Sequence, residues 1–287
     1  MRIVVASGKG GTGKTTIATS LALVAAEQEA VRFLDCDVEA PNAALFLDPV
    51  LDTRVEVGTL IPEVDESICT FCGKCAEACQ FHAIAVICKR TLVFPELCHG
   101  CGSCTLVCPE NAISEYLDVM GVLESGPTAH GIDFAQGVMN IGEPMAVPII
   151  RELKKWEAIP PLSGRLLEIR DAPPGASCPV VETMRGADFA LLVTEPTPFG
   201  LHDLKQVVNI SHELNIPAGM VINRDGIGDD AVEKYCAEKK LPVLMRIPME
   251  RRIAEAIAGG KTLVEVAPEY RPQFQSLLKT ILAGVGV

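Results

Sequence analysis

Residues 2–15 read Arg2-Ile3-Val4-Val5-Ala6-Ser7-Gly8-Lys9-Gly10-Gly11-Thr12-Gly13-Lys14-Thr15, and this stretch decides the fold. Arg2 to Ala6 predicts a strand, the glycines a tight loop, and Gly13 to about Gln28 a helix. In that setting glycines let backbone N–H groups close around phosphate oxygens, and the helix N-terminus adds partial positive charge. Lys14 is placed to reach the β- and γ-phosphates of a nucleotide, and the Thr15 hydroxyl to meet Mg²⁺. A plain glycine turn would not call for this lysine and threonine spacing between a strand and a helix. The candidate nucleotide contacts of this P-loop are Gly8, Lys9, Gly10, Gly11, Thr12, Gly13, Lys14, Thr15 and Thr16.

Working outward, Val31 to Leu34 is a second strand candidate, completing a βαβ opening. Later strands are expected at Leu166 to Ile169, Phe189 to Thr194, Ala218 to Ile222 and Val243 to Ile247, with helical stretches near 200–214 and 228–240. The alternation predicts an α/β fold, a mostly parallel sheet with helices on both faces. Glu168 and Arg170 break the apolar pattern of their strand, which predicts a less buried strand there. Residues 118–148, rich in Gly and Pro, read as strands or loops rather than helix. From Gln273 to Ala283, Phe274, Leu277, Leu278, Ile281 and Leu282 share one helical face. With only Lys279 on the polar side, that helix is expected to dock on the core rather than on a membrane.

Residues 62–117 interrupt this rhythm. Cys69, Cys72, Cys75, Cys79, Ala83 and Ile84 recur 29 residues later as Cys98, Cys101, Cys104, Cys108, Ala112 and Ile113. This is a duplicated module inserted in one piece. It divides the chain into a discontinuous nucleotide domain, 1–61 and 118–287, and an insert, 62–117. The repeated C-x₂-C-x₂-C-x₃-C spacing, followed by Pro109 in the second copy, resembles the bacterial two-cluster ferredoxins. That resemblance implies a small α+β ferredoxin-like domain with two [4Fe-4S] clusters. Cys69, Cys72, Cys75 and Cys108 would hold one, and Cys98, Cys101, Cys104 and Cys79 the other. Gln80 stands where the pattern has proline, which puts the local turn in question. The alternatives are zinc, for which triple CxxC spacing suits a tetrahedral site poorly, and a disulfide framework.

Composition sets outer bounds. With 287 residues, one large domain and a small insert can each bury a core. Met1 runs straight into the first strand, so no signal peptide is expected, and the twelve cysteines belong to a reducing cytoplasm. No apolar run reaches the roughly 20 residues of a membrane-spanning helix. The formal net charge of −12 opposes nucleic-acid binding. Of the remaining cysteines, Cys36, Cys88 and Cys236 read as ordinary thiols.

The second lysine, Lys9, goes beyond a generic P-loop. Here the sequence resembles the deviant Walker A ATPases, the class of MinD, ParA and the nitrogenase iron protein. The resemblance implies an ATP-sandwiched homodimer in which Lys9 acts on the partner's nucleotide; by itself Lys9 could be a solvated charge. Asp35-Cys36-Asp37 resembles the first switch, where Asp37 would orient the attacking water. Asp171-Ala172-Pro173-Pro174-Gly175 resembles the second, with Asp171 binding Mg²⁺ through water and the Gly175 backbone meeting the γ-phosphate. Helix capping is the alternative for each aspartate. Lys9, Lys14, Asp37 and Asp171 are thus the implied catalytic set, and Thr15, Asp37 and Asp171 the Mg²⁺ set. Asn223 and Arg224 sit where the family reads adenine, although Asn-Arg-Asp-Gly is also good turn chemistry. Pro248, after Ile247, matches the segment lying against the base. Cys178 lies near where the iron protein carries an intersubunit cluster ligand, but no second such cysteine is found.

The combined pattern resembles MinD-superfamily ATPases with an inserted ferredoxin domain. Three uses follow. In the first, ATP hydrolysis is coupled to electron transfer through the clusters, with an unidentified redox or client protein as partner. The second is a cluster scaffold or carrier of the Mrp/ApbC type, against which stands the lack of a C-terminal CxxC. The third is a MinD-like positional regulator.

Overall fold

The computed structural model describes residues 1–156 and 166–284. The strands among these residues are β1 Arg2–Ala6, β2 Ala30–Asp35, β3 Thr53–Val64, β4 Ile84–Ile87, β5 Arg90–Val93, β6 Ile113–Pro127, β7 Asp133–Met139, β8 Leu166–Asp171, β9 Phe189–Thr194, β10 Ala218–Asp225 and β11 Val243–Pro248. The helices are α1 Lys14–Ala25, α2 Ala44–Leu47, α3 Lys74–Ala78, α4 Ser103–Val107, α5 Val147–Lys154, α6 Cys178–Met184, α7 Pro198–Glu213, α8 Ala231–Glu238, α9 Arg251–Ala258, α10 Leu263–Val266 and α11 Arg271–Leu282.

Nine strands form one sheet in the order β11-β10-β9-β1-β8-β2-β7-β6-β3. From β11 to β7 all neighbours are parallel; β6 and β3 add on antiparallel. Side chains of a strand alternate between faces, so each strand seeds two layers. Ile3 and Val5 pack into a core with Ile17, Leu21, Phe274 and Leu277 from α1 and α11. Val4 and Ala6 pack with Val180, Leu204 and Val232 from α6, α7 and α8. Helices therefore cover both faces. The α11 face foreseen from sequence docks on α1, with Phe274, Leu277, Leu278 and Ile281 buried. No helix among the described residues is long and apolar enough to cross a membrane.

The β8 strand corrects one expectation. It is buried, not partly exposed, because its two charges neutralise each other: Arg170 Nη2 lies 2.7 Å from Glu168 Oε1. Arg170 also donates to the carbonyls of Thr183 and Arg185, and Arg32 on β2 approaches Glu168 at 3.4 Å. A buried charge is tolerated when paired and hydrogen-bonded.

The cysteine segment departs from a long ribbon. β3 and β6 pair from Thr53–Ser125 to Val64–Ile113 with a register shift between Val57 and Gly58, and positions 62 and 117 lie inside these strands. β7 supports β6 only as far as the Gly121–Met139 pair. Residues 58–64 and 113–119 therefore overhang the edge where the parallel strands end, forming an arm that carries residues 65–112. In that segment β4 and β5 form a separate hairpin, and α3 packs on α4.

Candidate functional site

The loop between β1 and α1 lines a cleft of about 430 Å³ at the C-terminal ends of the parallel strands, where open α/β sheets bind ligands. Gly11 and Gly13 hold φ angles of 76° and 92°, backbone states that favour glycine. A Cβ on Gly8 would stand 2.2 Å from the Asp203 carbonyl oxygen, so only glycine fits there. Gly10, Gly11, Gly13, Lys14, Thr15 and Thr16 border the cleft, with Asp37, Asn223, Arg224 and Pro248.

Three carboxylates meet behind Lys14. Asp35 and Asp171 are register partners on β2 and β8, and both are buried. Asp35 accepts backbone N–H bonds from Asp37 (3.1 Å), Asn42 (3.0 Å) and Ala43 (2.9 Å), so it shapes the loop that presents Asp37 to the cleft. Asp171 Oδ2 accepts from the Thr15 hydroxyl at 2.5 Å, while its Oδ1 is buried without a partner. An unpartnered buried carboxylate oxygen beside the threonine expected to meet Mg²⁺ fits a divalent cation. Burial, then the charge of Asp35, pushes Asp171 up to about 8, against the opposing pull of Lys14 and Thr15. Burial is also what lifts Asp35 to about 6, despite its three backbone donors, and Asp37 is raised by burial while Lys14 lowers it.

A carboxyl whose pKa is raised on folding keeps a proton that the unfolded chain has lost, so its stabilising contribution is full below about pH 4 and disappears as pH rises through about 8. Metal-free protein should lose urea stability between pH 5.5 and 8.5, and Asp171→Asn should flatten that slope. Equal slopes in the two proteins would contradict it. Adding Mg²⁺ should shrink the loss, because the cation replaces the proton.

Several foreseen residues sit differently from their expected roles. Asn223 borders the cleft, but its amide donates to the Thr12 carbonyl at 2.7 Å and its Oδ1 accepts from the Arg224 N–H. It braces the P-loop in this state. The Gly175 N–H donates to the Ser7 carbonyl at 3.1 Å, so that bond must open before it can meet a phosphate. Lys9 Nζ is held in its own chain by buried Glu195 at 2.9 Å, and Arg224 pairs with the same carboxylate at 2.5 Å. Sequence reading missed Glu195, Asn42, Phe46 and the cleft wall from α9, including Ile253 and Ile257. The i, i+4 spacing of those isoleucines marked an apolar helix stripe, but nothing local tied it to a nucleotide.

The cysteine segment repeats itself in space as in sequence. Gly73 and Gly102 start α3 and α4 in left-handed conformation, and Cys79 and Cys108 end them. The Ala83 and Ala112 N–H groups donate to the Cys79 and Cys108 sulfurs, each at 3.3 Å. Phe71 and Gly100 N–H groups donate likewise to Cys69 (3.4 Å) and Cys98 (3.5 Å). Gln80 keeps the turn that Pro109 makes.

Two chambers result. Cys69, Cys72, Cys75 and Cys108 line one, and Cys79, Cys98, Cys101 and Cys104 line the other. Burial raises Cys75, Cys98 and Cys104, whereas the Ser103 hydroxyl lowers Cys101. No group of three or more His, Cys, Asp or Glu side chains among the described residues is spaced for a single metal ion. Four thiolates on one zinc converge on a point, whereas a cubane takes one thiolate at each iron corner and spreads them apart. Each chamber encloses about 20 Å³ between its thiols, and four thiols, two of them accepting backbone N–H bonds, are the kind of donor set that a cubane takes.

Among the other cysteines, Cys36 is fully buried and its thiol is pushed far up by that burial. Cys236 is buried and raised to about 11, while Cys88 and Cys178 are exposed.

Residues 3–264 match the family described as CbiA, the CobQ/CobB/MinD/ParA nucleotide binding domain. The chain is 30% identical over 272 residues to the uncharacterized protein MJ0579 of Methanocaldococcus jannaschii, covering 92% of both. It is 34% identical over 234 residues to MJ0578 of the same organism, covering 80% of both. The septum site-determining protein MinD from Pyrococcus horikoshii, solved with Mg-ADP, superposes with a TM-score of 0.57 over 100% of this chain and 98% of its own. At 20% identity, that likeness is one of fold.

Proposed function

The chain belongs to the CobQ/CobB/MinD/ParA nucleotide-binding domain family, and on that premise we propose that it is an Mg-ATP-dependent, dimerising ATPase whose nucleotide switches drive an arm bearing two [4Fe-4S] clusters. The family supports the nucleotide half. The cluster half is carried by one observation of this chain: each interlocked cysteine quartet lines a chamber of its own. Lys14 and the loop N–H groups would hold the phosphates, Thr15 and Asp171 the Mg²⁺, and Asp37 the attacking water, whose alignment is what phosphoryl transfer needs. Lys9 reaches a second subunit only after leaving Glu195. When bound, the clusters would supply one-electron storage at their thiolates.

The first switch segment lies against the root of the arm, and the second connects to it through α6 and α5. Val38, next to Asp37, accepts from the Met139 N–H at 2.9 Å, and Asn140 bonds Met120 and Val119 of β6. A Cβ on Gly137 would stand 2.7 Å from the Val38 side chain, so the loop after Asp37 lies directly on β7. On the other side, α6 follows Asp171–Ser177, and its Glu182 pairs with Lys154 (3.1 Å) and Arg151 (3.3 Å) of α5. Helix α5 packs beneath β3, β6 and β7. A switch that changes with the γ-phosphate thereby acts on the arm through contiguous contacts.

The matched family and folds favour a MinD-like organiser, positioned by its nucleotide state, over electron transfer. One experiment separates these readings. Anaerobically purified protein is assayed for iron, Mg-ATP hydrolysis and the midpoint potentials of its clusters with and without nucleotide. Two clusters per chain and a nucleotide-dependent potential support coupling. Hydrolysis without iron leaves the MinD-like reading standing, ATP-dependent loss of iron to an apo-acceptor identifies a carrier, and absence of ATP binding sinks all three. Lys9→Ala and Asp37→Ala should each slow hydrolysis.

A further inference from the structure

The two chambers are built on equivalent backbones, but five of their matched lining residues differ. Lys74 in the first chamber corresponds to Ser103 in the second, Glu110 to Phe81, Val86 to Glu115, Thr70 to His99, and Phe71 to Gly100. Lys74 and Glu110 offset one another at the first chamber. At the second, Glu115 is the carboxylate in the lining, and the Thr105 hydroxyl fixes it by donating to Oε1 at 2.7 Å. Phe81 and His99 stack there with centroids 3.8 Å apart and cover that side of the chamber. Each chamber also has a hydroxyl near one cysteine sulfur: Thr91 at 3.8 Å from Cys69 and Ser103 at 3.4 Å from Cys101. Hydrogen bonding therefore differs less between the chambers than charge and cover do.

We infer that these substitutions make the two cluster sites inequivalent, with Glu115 holding the Cys79, Cys98, Cys101, Cys104 site at the lower reduction potential; this rests on the cluster reading above. Reduction adds negative charge, which a neighbouring carboxylate opposes, while at the first site Lys74 offsets the carboxylate of Glu110. Screening confines each effect mainly to the nearer site. The order of the sites along the arm gives the difference a direction. The Glu115 chamber abuts the arm at Leu60 and Pro62, whereas the other abuts its last residues, Val64 and Ile113, and the β4–β5 hairpin. An electron delivered to the module would rest in the outer chamber, away from the sheet.

The test is a mediated redox titration followed by electron paramagnetic resonance on the intact protein, after iron analysis has established its cluster content. The wild type should show two separable midpoints. Glu115→Gln, which keeps an oxygen for Thr105, should raise the lower midpoint and leave the higher in place. Lys74→Gln, an exposed change, should lower the higher one. In Cys108→Ser the surviving signal should titrate at the lower midpoint. Coincident wild-type midpoints, an unmoved lower midpoint in Glu115→Gln, or a higher-potential survivor in Cys108→Ser would each overturn the inference while leaving the cluster reading intact. Protein without clusters would overturn both.

Discussion

Lys14→Ala should reduce ATP turnover by about 10²–10³-fold, the cost typical of removing one preorganised charge from a transition state. Lys14 is buried at the head of α1, beside the cleft, and its charge acts on both Asp37 and Asp171. It is the cation placed to face transferring phosphate from within the loop. Its removal would also leave those carboxylates to repel the nucleotide, so binding should weaken together with turnover. Phosphate release and nucleotide affinity, measured on protein with unchanged circular dichroism, check the prediction. Turnover within a few-fold of wild type would show that the cleft is not the hydrolytic site.

The second large effect concerns ligand exchange between the repeats. Cys108→Ser should remove about half of the bound iron, and the lost cluster should be the one that Cys69→Ser removes. It should not be the one lost in Cys98→Ser, although Cys108 and Cys98 belong to the same sequence repeat. Cys79→Ser should match Cys98→Ser in the same way. The reason is spatial, because Cys108 lines the chamber of Cys69, Cys72 and Cys75. Spectra of the four variants compared pairwise decide it. If Cys108→Ser matched Cys98→Ser, each repeat would hold its own cluster and the chamber assignment would be wrong.

Much of the architecture was legible because it rests on short-range rules. The βαβ opening, the later strands and the docking face of α11 follow from apolar periods of two and about 3.6 residues, which one buried face imposes on any local segment. The P-loop was legible for a related reason: its phosphate cradle is made of consecutive residues. The charges in β8 misled because Glu168 and Arg170 neutralise each other two residues apart, and Arg32 and the carbonyls of Thr183 and Arg185, which complete their burial, come from distant segments. Asn223 and Gly175 depart from their expected contacts because their partners Thr12 and Ser7 belong to the P-loop, far away in sequence.

Sequence by itself determined the chemistry available here, namely a phosphate-binding loop, aspartates at strand ends and two equivalent cysteine quartets. Spacing within a few residues carries that information, because loop geometry and thiolate reach are local. Tertiary structure alone decided how those parts are arranged. It parked Lys9 on Glu195, bound Asn223 to the Thr12 carbonyl, and left one oxygen of Asp171 unpartnered. It also set the cysteine segment on an arm whose root lies against the loop after Asp37. Each of these depends on contacts between residues far apart in the chain, and sheet order and register bring such residues together.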